Sequence, residues 1–103
     1  MNNILSYKNK NVGVLGVGMS GLAAAKVLLN SSAKVFVFDY FKEKPPTLLE
    51  SNWVNYQKWP WKDLYALVVS PGIPINKNIK HKAIKLTLDH KVKIINDIDL
   101  FMQ

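Results

Sequence analysis

The stretch Gly16-Val17-Gly18-Met19-Ser20-Gly21 lies between Asn11–Leu15, which carries the β-branched residues Val12 and Val14, and the run Leu22-Ala23-Ala24-Ala25-Lys26-Val27-Leu28-Leu29. The order is strand, glycine turn, helix. Gly16 suits a tight strand-to-helix turn, Gly18 lets backbone approach a phosphate, and Gly21 lets the helix lie close to the strand. Free N–H groups of the helix's first turn would point at an anion, and the helix dipole favours its negative charge. The alternative is a tight turn with no ligand.

Working outward, Val35-Phe36-Val37-Phe38 is apolar at every position, as in a parallel-sheet strand covered on both faces. The helix from about Ser20 to Asn30 is apolar nearly all round and is broken by Ser31-Ser32. Pro45-Pro46 can open a short helix through Glu50, since proline is tolerated in a first turn. A weak strand is expected near Val54–Gln57, a full strand over Leu64–Val69 and a last strand over Val92–Ile95. Between the last two, Ile79, Ala83, Ile84, Leu86 and Leu88 mark an amphipathic helix within 78–90. Asp97 is a candidate N-cap for a further helix. The alternation predicts an α/β, Rossmann-like open parallel sheet of about five strands with helices on both faces.

Composition narrows the function. With 103 residues, 49% of them hydrophobic, the chain has room for one domain with a modest core. The net charge is +7, yet all 14 basic residues are Lys. Base and phosphate recognition favours the bidentate guanidinium of Arg, so scattered lysines point to a solvated surface and no nucleic-acid partner. The aromatic stretch Trp53, Tyr56, Trp59, Trp61 is read as core filling in preference to a base-stacking patch. There is no Cys, which removes disulfides and Cys-based metal sites and fits a cytoplasmic location. Val12–Leu29 is apolar, but its four glycines, Ser20 and Lys26 argue against a membrane span. The first ten residues lack a signal-peptide core, and no membrane partner is expected.

Asp39 follows the second strand directly, 23 positions after Gly16. A carboxylate there can accept from two ribose hydroxyls, as in NAD binding, or from the N3–H of a uracil, or it can cap a turn. Ser70-Pro71-Gly72-Ile73-Pro74 follows the Leu64–Val69 strand, at the sheet edge where open α/β folds bind ligands, although an ordinary turn has the same composition. His81 and His90 have no second ligand at metal spacing and are read as surface or packing residues. No ATP P-loop motif and no nucleophile–base–acid set is visible. On these residues the chain is a nucleotide-phosphate binder without catalytic machinery.

The Gly-Val-Gly-Met-Ser-Gly-Leu-Ala run at 16–23, Asp39, Ser-Pro-Gly-Ile-Pro at 70–74 and Asp-Ile-Asp-Leu-Phe at 97–101 together resemble the N-terminal domain of the UDP-N-acetylmuramoyl-L-alanine:D-glutamate ligases, the MurD family. The resemblance implies a cytoplasmic, ATP-dependent enzyme of peptidoglycan synthesis that forms an amide bond through an acyl-phosphate. It implies that this domain holds the UDP part of UDP-N-acetylmuramoyl-L-alanine and that ATP and Mg2+ are used by a central domain. Residues 1–95 would be the UDP-binding domain and 96–103 the start of the connection to that central domain, with a C-terminal domain beyond it. Carried over to this sequence, Gly16, Gly18, Met19, Ser20 and Gly21 would form the diphosphate cradle. Asp39 and the backbone of Tyr40 would read the uracil, and Ser70, Pro71 and Gly72 would line the pocket. No catalytic residue, metal ligand or cofactor of its own is expected in this domain, and by itself it should be inactive. The family's small hydroxyl residue and Arg after the Asp are here Tyr40 and Phe41, which leaves Phe41 as a stacking candidate. The competing readings are an NAD-binding domain of a dehydrogenase and a non-enzymatic nucleotide-sensing module.

Overall fold

A computed structural model describes residues 7–40, 42–69, 82–96 and 100–101. Its elements run β1 (Asn11–Leu15), α1 (Met19–Asn30), β2 (Lys34–Phe38), β3 (Leu64–Val69), α2 (Lys82–Asp89) and β4 (Lys93–Ile95), with short 3-10 turns at Thr47–Asn52, Tyr56–Lys58 and Trp61–Asp63. The four strands form one parallel sheet in the order β2-β1-β3-β4.

Period-two alternation decides what each face of the sheet buries. Val12 and Val14 of β1, Val35 and Val37 of β2, Ala66 and Val68 of β3, and Ile95 of β4 point to one side and pack with Ala24, Ala25 and Leu28 of α1. Leu15, Leu67 and Val69 point to the other, with Ala83 and Ile84 of α2 and the aromatic group Tyr56, Trp59 and Trp61. Both faces are therefore covered, as the continuous apolar strands required.

The aromatic stretch is core. Trp59 and Trp61 are buried, with ring centroids 5.5 Å apart. Their indole N–H groups donate to the carbonyls of Val54 and Tyr56, each at 2.8 Å. Trp59 lies over Gly13, where a Cβ would stand 2.5 Å from a ring carbon. Gly13 is therefore the hole in β1 that the indole fills.

α1 and α2 both end without glycine. Ser32 (φ 62°) and Lys91 (φ 55°) take the left-handed conformation after α1 and α2. The N–H of Ala33 then bonds the Leu28 carbonyl, and the N–H of Val92 bonds that of Thr87, each at 3.0–3.1 Å. This is the Schellman arrangement. It turns each helix straight into the next strand.

Several details depart from the sequence reading. Among the described residues the sheet has four strands where about five were expected. The candidate strand at Val54–Gln57 does not form. Trp53 makes a single bridge to Val37, and the Asn55 side chain then accepts the Gln57 N–H at 3.0 Å, which favours a turn over a ladder. The helix opened by Pro45-Pro46 is of the 3-10 type. α1 buries one face only, with Lys26 exposed. In α2 it is Thr87, bonded to the Ala83 carbonyl at 2.7 Å, that takes the inner face, while Leu88 is exposed. His90 packs against Trp61, as a packing residue should. The expected N-cap Asp97 lies outside the described residues, but the Leu100 N–H bonds the Asn96 carbonyl at 3.1 Å and Leu100 is buried in the α1-side core.

Candidate functional site

The glycine turn is built at the carboxyl end of β1, between β2 and β3. Gly16 has φ 94°, a left-handed backbone that strains any side-chain-bearing residue. Its N–H extends the β1–β2 ladder by bonding the Phe38 carbonyl at 2.8 Å. The next amide, that of Val17, donates to Oδ2 of Asp39 at 2.9 Å in a buried setting. Gly18 then becomes the N-cap of α1 with φ −67° and ψ −165°, and no side chain caps the helix.

Among the described residues, the first turn of α1 thus has N–H groups with no capping side chain, and no acidic residue stands in that turn. A Cβ built on Gly18 would meet nothing among the described residues within 4 Å, so there is room beside the N-cap. Met19 is 92% exposed, Ser20 is partly exposed and Gly21 is buried on the inner side of α1. The physical requirements of an anion cradle are therefore present at 16–21: positive dipole end, available amides and room.

Asp39 is buried at 8% exposure beside this turn. A carboxylate can accept about four hydrogen bonds, and the Val17 N–H takes one of these places on Oδ2. Tyr40, the next residue, is held by its hydroxyl, which accepts the Ala83 N–H of α2 at 3.3 Å. Its ring stands 5.3 Å from Tyr56 and 5.2 Å from Phe38. Burial first, and the bond with Tyr56 next, push the phenol well above its ordinary value near 10. Tyr40 is therefore a neutral strut between the end of β2 and α2.

The structure brings Gly16, Gly18, Met19, Ser20, Gly21 and Asp39 into one place and sets Tyr40 beside them. Ser70, Pro71 and Gly72 lie outside the described residues, as does Phe41, although Val69, the residue before Ser70, is in register with Leu15 beside the turn. Sequence reasoning missed Val17, whose contribution is a backbone N–H that leaves no trace in residue identity. It also missed the Tyr40–Ala83 tie, which depends on how α2 is docked.

No protein-family model matches the chain. Relatives are nevertheless clear in sequence. A UDP-N-acetylmuramoylalanine–D-glutamate ligase of Wolbachia sp. subsp. Brugia malayi is 37% identical over 101 residues, taking in 94% of this chain and 20% of that protein. What the chain matches in such D-glutamate ligases is their N-terminal part. The D-glutamate ligase of Caulobacter sp. (strain K31) is 32% identical over 103 residues, covering 95% of this chain and 21% of its own length. That of Bartonella henselae is 31% identical over 105 residues, covering 100% and 22%. The chain spans about a fifth of the length of the curated relatives it matches. Among solved structures, a Salmonella D-lactate dehydrogenase superposes with a TM-score of 0.59 at 22% identity, over 87% of this chain and 27% of that one. At that identity the likeness is one of fold, and it confirms the Rossmann-type sheet.

Proposed function

We propose that the chain is the UDP-binding N-terminal domain of a D-glutamate-adding ligase, and that it holds the UDP part of UDP-N-acetylmuramoyl-L-alanine. The observation that carries this is the open, uncapped glycine turn with Asp39 bonded to it, in a chain whose relatives are D-glutamate ligases. In this reading the amides of Gly18 to Gly21 receive the diphosphate, aided by the α1 dipole. Asp39 and the backbone of Tyr40 read the uracil, with Asp39 accepting its N3–H. Ser70, Pro71 and Gly72 complete the pocket wall. Residues 1–95 make up the nucleotide-binding unit, and 96–103 begin the connection to a central domain.

ATP and Mg2+ belong to the full enzyme's chemistry and do not fit the residues of this chain. The turn at 16–21 has no Lys-Ser/Thr pair to hold a γ-phosphate and a metal. Among the described residues there is no group of three His, Asp or Glu side chains placed to hold a metal ion. The chain therefore contributes binding to amide-bond formation in peptidoglycan synthesis, and the reacting groups come from the other domains. By itself it forms no amide bond and does not hydrolyse ATP. A cytoplasmic location follows from this reading. Among the described residues no helix is long and apolar enough to cross a membrane, and Val12–Leu29 divides into β1, the turn and α1.

Competition binding with UDP-N-acetylmuramoyl-L-alanine, UDP and NAD tests the proposal. Mutual displacement of the two uridine ligands, with NAD failing to displace either, is the expected result. Tight NAD binding with no UDP binding would move the chain to the dehydrogenase side of its fold likeness.

A further inference from the structure

We propose that Asp39 is a positioning residue that sets the shape of the anion cradle, in addition to any contact it makes with a nucleotide. The inference rests on the reading of 16–21 as a diphosphate cradle. Two consecutive amides dock the turn along the end of β2. Gly16 N–H reaches the Phe38 carbonyl at 2.8 Å, the last main-chain rung. Val17 N–H reaches Asp39 Oδ2 at 2.9 Å, so a side chain carries the ladder one residue past the point where Gly16 turns the backbone aside.

Besides this bond, the corner is held by the Val17 side chain, which packs in the α1-side core. Gly18, the N-cap, has no side chain to lock the entry of α1, and no acidic residue stands in the helix's first turn. Val17 is 4% exposed and Asp39 8%, so water cannot readily replace the bond. Release of the Val17 amide would free the Gly16–Val17 peptide plane, one residue before the N-cap Gly18, and scatter the first-turn amides that follow it. Their convergence is what an anion needs.

Charge alone gives the opposite expectation. A carboxylate beside a bound diphosphate repels it, so its removal should strengthen anion binding. The positioning role predicts weakening. Asp39→Asn and Asp39→Ala separate the two effects, because both lack the charge while only Asn keeps a carbonyl oxygen to accept the Val17 N–H.

The full 103-residue chain is compared with both variants by amide hydrogen exchange without ligand and by titration with inorganic diphosphate and with UDP. Val17 should be protected in the wild type and in Asp39→Asn. It should exchange about tenfold faster or more in Asp39→Ala, while Val14 and Val68 in the sheet keep their protection and show that the domain is folded. Inorganic diphosphate, which has no base or ribose to read, should bind Asp39→Ala about tenfold more weakly than Asp39→Asn. Equal Val17 exchange in wild type and Asp39→Ala overturns the proposal, as does equal diphosphate affinity of the two variants. A wild-type chain that binds neither UDP nor diphosphate overturns the cradle itself. Diphosphate binding without any UDP preference leaves the positioning role standing and refutes the uridine reading.

Discussion

Gly13→Ala should destabilise the domain, although alanine is the better residue for a strand on backbone entropy. The added Cβ would lie 2.5 Å from one ring carbon of Trp59 and 3.0 Å from another, and 3.0 Å from a Leu67 methyl. The methyl can rotate away. The indole cannot easily do so, because its N–H is bonded to the Val54 carbonyl at 2.8 Å and its ring stacks on Trp61. To reach an ordinary contact distance the ring must retreat by about 1 Å, an overpacking that costs about 1–3 kcal/mol. A weakened indole bond adds up to ~1–3 kcal/mol, and the reduced entropy of the unfolded chain returns ~0.4–1 kcal/mol. Taking the middle of each range, the net loss is about 2–3 kcal/mol, which lowers Tm by about 8–25 °C for a domain of this size. Thermal unfolding followed by circular dichroism measures it. The same substitution made on a Trp59→Leu background should cost little, because the ring atoms are gone. A Gly13→Ala chain as stable as wild type would refute the claim that Gly13 exists to seat the indole.

Gly18→Val should leave the fold intact, since the backbone there suits any residue and its Cβ meets nothing, yet it should weaken UDP binding by about 10- to 150-fold through lost charge-assisted amide contacts. Unchanged affinity with a native circular dichroism spectrum would show that the turn holds no phosphate. Leu28→Ala removes a fully buried side chain under the sheet and should cost about 2–5 kcal/mol in urea unfolding, and a loss below ~1 kcal/mol would contradict the packing described. Tyr40 has a pKa raised by folding, so its contribution to stability is complete below the ordinary phenol value of 10.0 and is lost as pH rises past it. The alkaline fall in the urea midpoint should therefore be smaller in Tyr40→Phe than in wild type, and equal falls would argue against the strut.

Much of this was legible because period and composition act locally. Val12, Val14, Val35, Val37 and the Leu64–Val69 run could only be strands buried on both sides, and the glycine spacing fixed the turn between β1 and α1. The aromatic stretch was rightly assigned to the core, but its form was hidden. Whether Val54–Gln57 makes a strand depends on Asn55 choosing a local bond over a ladder, a contest of small energies. Gly13 gave no signal either, because its partner Trp59 is distant in sequence. At the site, Asp39 was visible by spacing from Gly16, whereas its bond to Val17 was not, since a backbone amide reads the same in every residue.

In the proposed function, the first turn of α1 receives the diphosphate of a uridine nucleotide. Amide chemical shifts recorded while UDP, and separately NAD, is titrated into the chain test it most directly. UDP should move the amides of Val17 to Gly21 in a saturable way, and NAD should leave them in place. Saturable shifts at those amides with NAD, and none with UDP, would contradict it.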